Sequence, residues 1–246
     1  MRYLVLLVLL LATLTAQAAD YAREKKWADE IVPGIVTGDP VYLEAGSEHK
    51  FLTLYTEVPN AKGAVIVIHG MGVHPDWNLI GVLRNGLADA GYTTLSVQMP
   101  VLANDAKPED YPPTFPEAAK RLAAAVDFLQ AKGYTKIAFV SHSMGSRMTD
   151  YYLAHCSRAC PAAWVAIGLS GNFSPGKTFA FPVLDLYGQN DLPPVLRSAK
   201  ARAAALKAVP RAKQIMAPAT DHFFNNKDAE LVGYVKSFLD QAMAGK

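Results

Sequence analysis

Apolar and polar positions along this chain change their period again and again. Residues 64–68 read AVIVI, a short continuous run rich in β-branched side chains, which is the pattern of a strand buried on both faces of a parallel sheet. Similar runs at 93–97, 136–140, 163–169, 181–187 and 213–217 predict further strands. Residues 41–44 and 50–58, separated by Gly46-Ser47-Glu48, predict an antiparallel hairpin at the start of the sheet. Between the strands the period becomes helical. Helices are expected at 79–90, stopping at Gly91, and at 117–132, where Leu122, Ala125, Val126 and Leu129 share a face and Gly133 closes the last turn. Others are expected at 144–155, 194–209 and 228–243, the last with Leu231, Tyr234, Val235 and Phe238 on one side. Residues 19–38 show neither period and read as a mixed surface segment. Strands alternating with helices predict an α/β fold: a doubly wound, mostly parallel sheet flanked by helices.

Two connections depart from the regular plan. Residues 99–116 form a long loop carrying Pro100, Pro108, Pro112, Pro113 and Pro116, and a loop of this length in a compact domain is expected to border a binding site. Residues 170–180 are too few for an ordinary crossover helix, which needs a dozen or more residues, so that helix should be very short or missing. No space remains for a lid domain. The site should be open, covered mainly by the proline-rich loop and the segment around His74 and Trp77.

With 246 residues, 51% hydrophobic and 19% charged, the chain can bury one substantial core, and residues 19–246 are expected to form one domain. The first eighteen residues have a different character. A single early charge, Arg2, precedes the apolar run 3–11, and Ala16-Gln17-Ala18 supplies small residues at cleavage spacing. This is the layout of a secretory signal removed after Ala18, and the run is too short to span a bilayer, so no stable membrane insertion is expected after cleavage. A periplasmic or secreted location follows. Cys156 and Cys160 are the only cysteines, and an oxidising compartment would favour joining them. The net charge of +2, without a basic block, gives no reason to expect a nucleic-acid partner and directs attention to a small molecule.

The candidate chemistry centres on Ser141-His142-Ser143-Met144-Gly145, where a strand ends and a helix begins. That layout is a nucleophile elbow, in which a strained turn lifts the hydroxyl of Ser143 clear of the sheet; Ser141 stands where glycine is commoner. The strand 64–68 runs into His69-Gly70-Met71-Gly72, so the backbone N–H groups of Met71 and Met144 are the candidate oxyanion donors. Asp191 lies just past the strand 181–187, where ligands and catalytic groups gather in open α/β sheets. Asp185, inside that strand, is the poorer candidate acid. Of six histidines, His222 alone falls in a loop after the last strand and downstream of a plausible acid. The order Ser143, Asp191, His222 is the nucleophile, acid, base order of one class of serine hydrolases.

In these segments the chain resembles the α/β-hydrolase superfamily over nearly its whole length after residue 18. More closely, His69-Gly70-Met71-Gly72, His74-Pro75-Asp76-Trp77, Leu95-Ser96-Val97-Gln98-Met99-Pro100 and the elbow resemble a family of exported bacterial α/β-hydrolase-like proteins with no assigned function. The resemblance to the superfamily implies a doubly wound sheet, with Ser143, Asp191 and His222 as the catalytic group. The expected activity is cleavage of a small-molecule ester or thioester through an acyl-enzyme, with thioesterase or peptidase action as variants. His74, Trp77 and His142 are expected to touch the substrate, and no metal or organic cofactor is required. The alternative is a binding protein that keeps the fold and cleft without the chemistry.

Overall fold

The computed structural model describes residues 19–46, 49–155, 161–175 and 179–244. The expected signal segment and the cysteines Cys156 and Cys160 lie outside the described residues. Eight strands form one sheet: β1 (Asp39–Glu44), β2 (Lys50–Thr56), β3 (Ala64–Ile68), β4 (Thr93–Val97), β5 (Ile137–His142), β6 (Ala163–Ile167), β7 (Val183–Asn190) and β8 (Lys213–Asp221). Their spatial order is β1-β2-β4-β3-β5-β6-β7-β8. The first two pairings, β1 with β2 and β2 with β4, are antiparallel, and all others are parallel.

Period-two alternation within the central strands divides the core into two layers. Ile66, Leu95, Phe139 and Trp164 face one way, against helices α3 (Phe115–Ala131) and α4 (Met144–His155). Val65, Val67, Val140 and Val165 face the other way, against α2 (Leu79–Asp89) and α6 (Asp228–Met243). With both faces covered, β3 to β6 are buried throughout, which explains why they read as continuous apolar runs. Helix α5 (Pro193–Leu206) follows β7. Among the described residues no helix connects β6 to β7, as the short spacing predicted, and none forms a lid. No described helix is long and apolar enough to cross a membrane.

The larger departures from the sequence expectations lie near the two ends of the chain. Residues 19–38 are not merely irregular: Tyr21–Ile31 form a helix, α1, whose first turn is capped where the Asp20 carboxylate accepts from the Arg23 N–H at 3.0 Å. The helix gives a weak apolar signal because its main inward contact is charged. Glu24, almost fully buried, accepts from both Arg121 terminal nitrogens at 2.9 and 3.1 Å. Burial pushes the Glu24 carboxyl upward, against the pull of the guanidinium. At the other end of the chain, the last strand does not stop at residue 217 but continues to Asp221, passing through Pro218. A proline is tolerated there because β8 is the edge of the sheet and has a side with no strand partner.

Candidate active site

The turn between β5 and α4 is built by close backbone packing. A Cβ on Gly145 would stand 2.3 Å from the His69 carbonyl oxygen and 2.9 Å from that of Ile68, so only glycine lets the helix start against the end of β3. Ser143, between strand and helix, has φ +54, a left-handed conformation that costs a residue with a side chain of order 1 kcal/mol or more. Its N–H is tied to the Ile167 carbonyl of β6 at 2.8 Å, which holds the turn in place.

Ser141 occupies the usual glycine position with a purpose visible in its partners. Its buried hydroxyl accepts from the Trp164 indole N–H at 2.9 Å and lies 3.1 Å from Ser146 Oγ and 3.3 Å from the Val165 carbonyl. Ser146 Oγ in turn reaches the carbonyls of Ser141 and Ile167 at 2.9 and 3.2 Å. The two serines therefore stitch the elbow to β6.

The acid arrives from β7. Between Gly188 and Asn190 the pairing with β8 shifts register, and a Cβ on Gly188 would lie 2.3 Å from the Thr220 carbonyl. This close approach brings Asp191 to the loop that follows β8. Asp191 Oδ1 accepts from His222 Nδ1 at 2.5 Å and from the Leu192 N–H at 2.7 Å, and Oδ2 accepts from the Gly188 N–H at 3.0 Å. Burial pushes this carboxyl up, but the hydrogen bonds and charge of His222 and the two backbone donors outweigh it and hold Asp191 below the usual carboxylate range. With Nδ1 donating to the acid, His222 Nε2 is the free acceptor, and it lies 2.9 Å from Ser143 Oγ. Asp191 and His222 are almost fully buried, while Ser143 is half-buried at the mouth.

The turn after β3 approaches the elbow closely: a Cβ on Gly70 would stand 3.2 Å from Ser143 Cβ. The N–H groups of Met71 in this turn and of Met144 at the helix start make no hydrogen bond to another described residue. His69 braces the turn from beneath. Its Nε2 must be an acceptor, because the Met99 N–H donates to it at 2.9 Å, so Nδ1–H donates to the Gly70 carbonyl at 2.8 Å. Complete burial lowers the His69 pKa to about 3, keeping the ring neutral. From above, α1 contributes Arg23, whose guanidinium donates to the Gly72 carbonyl at 3.2 Å, the Leu102 carbonyl at 2.7 Å and Asn104 Oδ1 at 3.0 Å. One side chain thus joins the glycine turn to the proline-rich loop. Neither role was visible in the sequence, since the partners lie far away along the chain.

The three expected substrate contacts fall in different places. Trp77 packs edge-on against Phe223, with ring centroids 5.6 Å apart, beside the base. His74 turns toward Trp27 of α1 at 5.7 Å. His142 is buried behind the base: its Nε2–H donates to the His222 carbonyl at 3.0 Å, its Nδ1 has no partner among the described residues, and burial lowers its pKa to about 3. Three exposed apolar side chains, Met71, Leu192 and Phe223, each stand beside a site residue, Met71 in the glycine turn and the others next to Asp191 and His222. Among the described residues no group of three His, Cys, Asp or Glu side chains is gathered as a metal would require.

This sheet order, with an elbow after β5, an acid after β7 and a histidine after β8, is the α/β-hydrolase fold. Comparison with known proteins agrees at the level of fold. The chain is similar over 84% of its length, and 99% of the other's, to Est1E from Butyrivibrio proteoclasticus, with a TM-score of 0.62 and 17% identity. It is similar to an α/β serine hydrolase without lid from Xanthomonas campestris over 86% of this chain and 98% of that one, with a TM-score of 0.67 and 15% identity. A dienelactone hydrolase from Anabaena variabilis gives 0.67 and 20% identity over 82% of this chain and 96% of its own. Residues 37–119 match the family described as protein of unknown function (DUF3530). No curated protein matches the sequence.

Proposed function

We propose that the chain is an exported serine hydrolase that cleaves an ester or thioester of a small molecule through an acyl-enzyme, working as one domain over residues 19–246. The observation that carries this reading is the continuous relay from Asp191 through both nitrogens of His222 to Ser143, at 2.5 and 2.9 Å, ending on a serine held at φ +54. His222 Nε2 takes the hydroxyl proton as Ser143 attacks the carbonyl, and returns it to the leaving group. Asp191, kept ionised by its donors, holds the ring in the required tautomer and stabilises its protonated form. The N–H groups of Met71 and Met144 receive the developing negative charge, and losing one such donor typically costs ~100- to 1000-fold in rate. Water then releases the acid. The partly apolar rim of Met71, Leu192 and Phe223 suits a substrate with an apolar portion.

The test is labelling with a fluorophosphonate probe. The chain from residue 19 should label covalently, Ser143→Ala should not, and His222→Ala should label far more slowly. Well-folded protein that resists the probe would contradict the reading.

A further inference from the structure

A cleft of about 600 Å³, within the usual range for small-molecule sites, is lined by chain neighbours of the triad, though by none of its three residues. Its position is fixed by the elements that hold the triad. Arg147 is one helical turn beyond Ser143 and its N–H donates to the Ser143 carbonyl at 3.3 Å. Leu169 and Ser170, on the far wall, follow Gly168, over which the His222 ring lies. Pro194 comes three residues after Asp191.

Two arginines line this cleft, Arg147 from α4 and Arg197 from α5. Every other described arginine has a partner: Arg23, Arg84, Arg121, Arg202 and Arg211 each donate to a carbonyl or carboxylate. The guanidinium groups of Arg147 and Arg197 make no hydrogen bond or ion pair among the described residues. The Arg147 guanidinium rests against the face of Phe115, 5.8 Å from the ring centroid. The lone acid in the lining, Asp150, feels the charge of Arg147 but spends its hydrogen bonds on the far wall. Its Oδ2 accepts from Ser174 N and Oγ at 2.9 and 2.6 Å, and its buried Oδ1 has no partner among the described residues. Asp150 anchors the loop that forms the far wall, leaving two guanidinium groups to face the space.

We infer that this cleft binds an anionic group of the substrate, a carboxylate or phosphate, through Arg147 and Arg197. Guanidinium groups match the paired oxygens of such anions and, unlike lysine, remain charged at any working pH. Phe115, Leu169 and Pro194 provide the apolar surface for the segment joining the anion to the scissile carbonyl. The inference rests on the hydrolase reading and names its substrate class: esters that carry a negative charge a short distance from the bond cut.

Two measurements test it. In the first, kcat/KM is compared for an aryl monoester of glutaric acid and the matching neutral butyrate ester. The wild type should favour the charged ester about tenfold or more, the worth of a good charge-assisted contact, and Arg147→Met and Arg197→Met should each reduce that ratio. Arg197→Glu should turn the preference toward a cationic ester. In the second, calorimetry follows glutarate and inorganic phosphate binding to the full chain, with and without the double Arg147→Met/Arg197→Met change. Loss of binding in the double variant supports the site, and whichever anion binds more tightly identifies the source. Equal kcat/KM on the two esters, or no binding of either anion by the wild type, overturns it while leaving hydrolysis intact. Anion binding without turnover or fluorophosphonate labelling would instead sink the hydrolase reading and keep the anion site.

Discussion

The imidazole of His222 lies on Gly168: a Cβ built on that glycine would stand 2.8 Å from Cε1 and 3.0 Å from Nδ1 of the ring. Gly168 also has φ +58, which a larger residue resists. Gly168→Ala should therefore push the base away from Ser143 while the core stays packed. We expect a loss of about 100-fold in kcat/KM, the scale associated with a misplacement of about 1 Å, with a much smaller change in thermal midpoint. Kinetics and melting measured on one preparation separate the two effects.

His142 serves the base from behind. Replacing it with phenylalanine removes the donor to the His222 carbonyl and leaves that buried oxygen unsatisfied. The expected result is a fall in kcat of about tenfold with little change in KM, since the ring is almost fully buried. A rise in KM at constant kcat would instead show that His142 touches the substrate.

Ser141→Gly would restore the usual elbow sequence, yet it should weaken the protein. The Trp164 indole N–H loses its acceptor inside the core, a loss of about 1–3 kcal/mol, and urea unfolding should shift to a lower midpoint at unchanged slope. An increase in stability would show that the hydroxyl network is dispensable.

His69 and His142 each have a folded pKa of about 3, below the 6.5 of an unfolded histidine. Between these values the unfolded chain binds two protons that the folded chain refuses. Their contribution is complete above pH 6.5 and is lost as pH falls toward 3, at about 1.4 kcal/mol per pH unit for each ring. Chemical unfolding followed from pH 7 to pH 4 should show this acid weakening, and it should be shallower in His142→Phe.

Much of this arrangement was legible in the sequence, and its limits have physical causes. Ala64–Ile68 and Thr93–Val97 fall where the apolar runs predicted them because both faces of these strands are covered. The order of Ser143, Asp191 and His222 predicted a convergence that the structure displays as geometry. Helix α1 escaped because an ion pair, Glu24 with Arg121, replaces the apolar stripe that would have announced it. The apolar run predicts a strand ending at Val140, which would leave His142 in the turn beyond it. The strand in fact continues to His142, and the ring is carried into the interior. The partners of Ser141, His69 and Arg23 depend on which strands and loops become neighbours, which local periodicity does not encode.

Helix α1 gives assembly of the mouth a hierarchy. The eight strands hold the relay of Asp191, His222 and Ser143 without any side chain from α1, whereas the glycine turn and the proline-rich loop are joined through Arg23. A chain shortened to begin at Asp39 is thus expected to keep Ser143 within reach of His222 while Met71, the proposed oxyanion donor, drifts. In the proposed hydrolase, whatever displaces residues 19–38 from their berth would act as a brake on turnover without touching Ser143, Asp191 or His222.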